Sequence, residues 1–108
     1  LVSRLGIDVC PRLGPYSVSN SALIHLTRIY GTELKPFNIT VNGLLLDRVE
    51  TRLHHELSII RDSKQGDRSY ASPVRSPGEI VPAILFLSSL EIPEITGKIG
   101  TVSDFVSA

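Results

Sequence analysis

A chain of 108 residues is one ordinary domain or a piece of a larger one, and a content of 42% hydrophobic and 20% charged residues is that of a globular protein. Eleven basic residues balance eleven acidic ones, so the chain has no field to attract nucleic acid or anionic lipid, and neither is an expected partner. No apolar run approaches the roughly 20 residues of a membrane span, no leader segment opens the chain, and the single Cys10 has no internal disulfide partner, which together suggest a soluble protein of the reducing cytoplasm.

The opening "LVS" reads as the end of a buried strand already under way, and chain is expected upstream of it. From Tyr16 to Lys35, Leu23, Leu26, Tyr30 and Leu34 recur at spacings of three and four, with Val18, Ala22 and Ile29 widening the stripe. That pattern predicts a helix with a broad buried face. Pro36 disfavours helical geometry at Lys35 and stops it. Residues 39–46, "ITVNGLLL", are β-branched and then aliphatic, as in a parallel strand covered on both faces.

Residues 47–76 change character. Five acidic and five basic residues lie between Asp47 and Arg68, followed by Pro73 and Pro77, so a short helix around Glu50 to Ile60 and a mobile, charged loop are expected. "SPGE" then marks a helix start, with Ser76 as cap, Pro77 in the first turn and Glu79 placed for a capping box. This helix is expected to reach about Leu90, with Pro82 as an internal defect costing about 3 kcal/mol or a kink. "ITGKIGTV", residues 95–102, turns at Gly97 into a last strand. The alternation of strands and helices predicts an α/β fold with a parallel sheet, whose exposed strand edges make a lone monomer uncomfortable.

"YSVSNSALIHLTRIYGTELKPFNITVN", the "VET" that follows and "ITGKIGTV" near the end closely resemble the C-terminal half of short-chain dehydrogenases/reductases, in the family's order and over nearly the whole chain. Ser3 lies thirteen residues before Tyr16, the interval usual in that family. The resemblance implies the C-terminal part of a Rossmann-type, doubly wound parallel sheet in three αβα layers, spanning residues 1–108, with 47–76 as the substrate lid. It implies hydride transfer between NAD or NADP and a small carbonyl or alcohol, with Tyr16 as acid/base and Ser3 holding the substrate oxygen. Val49 and Thr51 match the positions that bind the nicotinamide carboxamide.

In the family a lysine four residues after the tyrosine lowers its pKa and holds the nicotinamide ribose. An ordinary tyrosine, with a pKa of about 10, is only about one part in a thousand ionised at pH 7, and a nearby ammonium changes that. Here the position is Asn20, which can donate a hydrogen bond but carries no charge. Leu46 and Asp47 stand where the family has a proline and a glycine, and Ser103, Asp104 and Phe105 align with its closing Asp-Gly-Gly. The glycine-rich phosphate turn belongs to the family's N-terminal half and is not within these residues.

The chain alone is therefore expected to be inactive and not to bind the dinucleotide by itself. The competing expectation is a non-catalytic oligomerisation module derived from the same fold, with the missing half or further copies of the chain as partners. His54 and His55 are adjacent and point about 100° apart on a helix, a poor metal pair, and Cys10 has no neighbouring cysteine or histidine in sequence to activate it.

Overall fold

The computed structural model describes residues 1–49, 74–89 and 94–106. Strand β1 (Val2–Ser3) leads through a 3-10 turn (Arg4–Gly6) to the long helix α1 (Gly14–Glu33). A second 3-10 turn (Lys35–Phe37) precedes β2 (Gly43–Leu46) and β3 (Arg48–Val49). After β4 (Val74–Arg75), a 3-10 turn (Pro77–Ile80) runs into α2 (Val81–Ser88), and β5 (Ile99–Gly100) and α3 (Val102–Phe105) end the described chain.

The sheet is parallel, in the order β1-β2-β5, with Ser3 opposite Leu46 and Leu44 opposite Gly100. A second, separate parallel pair joins β3 to β4, setting Val49 opposite Arg75. Helices cover both faces of the three-stranded sheet. On one side Gly43 leaves room for Thr27 of α1, whose methyl lies 3.6 Å from where a Cβ on Gly43 would sit. On the other, Leu44, Ile80, Ala83 and Phe105 form the core, supported by Leu46, Leu87, Ile95 and Val102. This is the α/β layering expected.

Several elements differ from expectation. Helix α1 begins at Gly14, ahead of Tyr16, because Pro15 in the first turn gives up no hydrogen bond there. It ends at Glu33, and Asn38, in the left-handed region at φ 61°, closes the turn beyond it. Pro82 is no internal defect: it falls in the first turn of α2, where its missing donor has no helical acceptor to lose. The Ser76 N–H donates to Glu79 Oε2 at 2.7 Å, as the capping motif predicts.

The largest correction concerns the buried face of α1. Val18, Leu23, Leu26, Ile29 and Tyr30 are exposed, and the buried positions are Ile24, Thr27 and Gly31. Close approach, rather than apolar bulk, chooses this face. A Cβ on Gly31 would come within 2.5 Å of both Gly97 N and Gly97 Cα, and Thr27 satisfies its hydroxyl on Leu23 O at 2.8 Å.

The second and last strands are shorter than predicted because side chains hold their ends. Thr96 Oγ1 donates to Gly31 O and accepts from Val41 N, both at 3.1 Å. Asn42 spans the same turn, donating to Ile95 O at 2.9 Å and accepting from Lys98 N at 3.1 Å. Gly97, at φ 73°, makes the predicted turn. The short helix α3 was not expected; Asp104 caps it by accepting from Thr101 N at 2.7 Å. The expected helix from Glu50 to Ile60 lies outside the described residues, as does most of the charged loop.

Candidate active site

Ser3 ends β1 at the carboxyl edge of the sheet, the edge at which open α/β sheets bind their ligands. Its Oγ accepts from Leu5 N at 3.1 Å and so caps the 3-10 turn. The bond uses a lone pair and leaves the hydroxyl hydrogen available to donate. The turn then presses against α1 through Gly6, where a Cβ would meet the backbone of Asn20 and Ser21 within 2.9 Å. That contact fixes the distance between the end of β1 and the start of the helix.

Tyr16 lies in the first turn of α1, half-buried, and Asn20 one turn later on the same side. The Asn20 side chain joins the two elements. Its Oδ1 accepts from Ser3 N at 2.9 Å, and its Nδ2 donates to Tyr16 O at 3.0 Å. Tyr16 O also accepts from Ser19 Oγ at 2.7 Å. The backbones of Ser3 and Tyr16, thirteen positions apart in sequence, are thus linked through the Asn20 side chain. Val49 lies on β3, which pairs with β4 in the separate two-stranded sheet, and Thr51 is outside the described residues.

Sequence reasoning missed the charged fringe of the site. Arg4 Nε lies 3.0 Å from Asp8 Oδ2 and 3.6 Å from Asp47 Oδ1, bridging the ends of β1 and β2. The Arg4 and Asp8 spacing of four was a readable signal; the long-range partner Asp47 was not. A cavity of about 190 Å³ opens beside this bridge, lined by Arg4, Leu46, Asp47, Arg75, Thr101 and Ser103 among others. Next in sequence to Ser103, Asp104 is held ionised below the usual aspartate range by the Thr101 backbone N–H, then by the Thr101 hydroxyl, with Lys98 adding a smaller attraction. Among the described residues no group of histidine, cysteine and carboxylate side chains could hold a metal ion, and no helix is long and apolar enough to cross a membrane.

A family profile described as enoyl-(acyl carrier protein) reductase matches residues 1–104, and curated proteins similar to this chain are named dehydrogenase/reductase SDR family member 4. The chain belongs to the short-chain dehydrogenase/reductase family. The mouse (Mus musculus) relative of that name is 50% identical over 103 residues, covering 89% of this chain and 35% of its own length. The human relative is 30% identical over 90 residues, covering 82% of this chain and 32% of its own. The crystal structure of a 3-oxoacyl-[acyl-carrier protein] reductase from Brucella melitensis is 25% identical, with a TM-score of 0.70 over 94% of this chain and 38% of that one. The chain thus spans about a third of the length of the curated relatives it matches.

At the end of β2, where this family places the nicotinamide, the half-buried Asp47 carboxylate lies 3.6 Å from Arg4 Nε, beside the cavity of about 190 Å³. What this dehydrogenase/reductase site retains is a hydroxyl at the end of β1, a phenol at the start of α1 and an amide that links their backbones.

Proposed function

We propose that this chain carries the acid/base portion of a short-chain dehydrogenase/reductase, and that the whole protein moves a hydride between NAD or NADP and a small carbonyl or alcohol. Tyr16 exchanges a proton with the substrate oxygen and Ser3 donates a hydrogen bond to it. The observation that carries this reading is the joining of Ser3 and Tyr16 through Asn20 at the carboxyl edge of a parallel sheet. The Ser3 hydroxyl supports it, since capping Leu5 N orients the oxygen while leaving its hydrogen to donate. By itself the 108-residue chain does not turn over: position 20 carries asparagine in place of the family's lysine, and an aspartate occupies the nicotinamide end.

The test is made on the protein isolated from its native source. An intact mass well above that of these 108 residues, with carbonyl reductase activity that Tyr16→Phe lowers by about 10² to 10⁴, supports the assignment. Activity unaffected by Tyr16→Phe removes it. Carbonyl reduction by the 108 residues alone removes the claim that they are inactive.

A second reading is favoured by one observation: α1 and α2 expose Val18, Leu23, Leu26, Tyr30, Val81 and Leu85. Apolar faces of this extent suit an assembly module without catalysis. In that case Tyr16→Phe is silent and Leu26→Asp abolishes self-association in sedimentation; association unchanged by Leu26→Asp excludes it.

A further inference from the structure

We infer that Asn20 is a positioning residue in its own right, not a vacant lysine position, and that putting lysine there breaks the link between Ser3 and the turn carrying Tyr16. The two halves of its amide are not equal in weight. Tyr16 O has a second side-chain donor, Ser19 Oγ at 2.7 Å, so the Nδ2 bond at 3.0 Å is redundant. Ser3 N has Asn20 Oδ1 as its partner, at 2.9 Å in a part-buried setting. The acceptor half therefore governs where β1 ends.

Lysine has three donors and no acceptor. At position 20 it would turn a donor toward the Ser3 N–H and leave that amide without a partner, in a place where Gly6 already packs within van der Waals reach of the Asn20 backbone. The exchange of lysine for asparagine thus carries a structural commitment: Ser3 is placed by a bond that the charged residue cannot make. The bond stands whether or not the protein is an oxidoreductase; only its bearing on Ser3 and Tyr16 as reacting groups rests on the proposed function.

Amide hydrogen exchange on the full 108-residue chain tests the inference without any turnover assay, so its failure is distinct from failure of the functional reading. In the wild type the Ser3 amide is protected against exchange. In Asn20→Lys and Asn20→Leu it exchanges about tenfold faster or more, while Ile24 to Ile29 in the middle of α1 keep their protection. Asn20→Asp, which retains an acceptor, keeps the Ser3 amide within about threefold of wild type. A merely space-filling Asn20 predicts no such rescue by aspartate. An unprotected Ser3 amide in the wild type overturns the inference with no variant needed, as does a Ser3 amide equally fast in the aspartate, lysine and leucine variants or equally slow in all of them.

Discussion

Both ends of helix α1 combine a side-chain hydrogen bond with a glycine's close approach, but in different balance. Its first turns are joined to β1 by one polar bond, Ser3 N donating to Asn20 Oδ1, beside the close approach of Gly6 to the Asn20 and Ser21 backbone. Its last turns sit glycine against glycine, with Gly31 so close to Gly97 that no side chain fits between them. At the first end a substitution at Asn20 can remove the bond to Ser3 N while Gly6 keeps its close approach. At the second end the glycine contact leaves no room for any side chain between the helix and the turn before β5.

That contrast is broken most severely at the glycine contact. Gly31→Ala places a Cβ 2.5 Å from Gly97 N and Cα, both backbone, and is expected to cost about 3 kcal/mol or more, read as a lower urea midpoint at unchanged slope. Thr96→Val comes next. It strips Val41 N of its acceptor and Gly31 O of its hydroxyl donor, for an expected loss of about 1–3 kcal/mol in the same measurement.

At the polar end the effects are smaller. Asn20→Leu is expected to cost about 1 kcal/mol, because the amide it deprives is only part-buried and water can reach it. If Asn20→Leu proves as costly as Gly31→Ala, the two ends do not differ in balance. Smaller again is Asp47→Asn, since the pair it forms with Arg4 spans 3.6 Å and the arginine side chain is 44% exposed; less than about 1 kcal/mol is expected, fading further with salt.

The smallest effect is a pH dependence at α3. The carboxyl of Asp104 titrates below its unfolded value of 3.8 because it accepts from Thr101 N and Thr101 Oγ1. A depressed folded-state pKa means that the cap is present above that value and is lost as pH falls through the lower, folded-state one. Lowering the pH below about 4 is therefore expected to loosen α3, and Asp104→Asn to remove that acid sensitivity, as followed by the Phe105 side-chain signals.

Much of the fold was legible in the sequence because it is written in local chemistry. The Ser76, Pro77 and Glu79 start, the turn at Gly97 and the alternation that makes a parallel sheet all depend on neighbours a few residues apart. The buried face of α1 was not legible. Leucines at helical spacing suggested one face, but Gly31 and Thr27 decide another through partners at Gly97 and Gly43, more than ten positions away. Pro82 misled for a related reason, since its position relative to the helix start depends on the 3-10 turn before it.

The site shows the same division. The spacing of Ser3, Tyr16 and Asn20 could be read, and with it the family, but the acceptor role of the Asn20 amide could not, because it depends on where Ser3 N comes to lie. The Arg4 and Asp47 bridge is likewise a product of strand register, Ser3 being opposite Leu46.

The central claim is that this chain keeps the acid/base corner of a short-chain dehydrogenase/reductase without a nucleotide site of its own. Titration of the 108-residue chain into NADPH and NADH, followed by nicotinamide fluorescence, tests it most directly. The account predicts no saturable change with either cofactor. A saturable enhancement that Asp47→Gly strengthens would contradict it and show that the nicotinamide end is open after all.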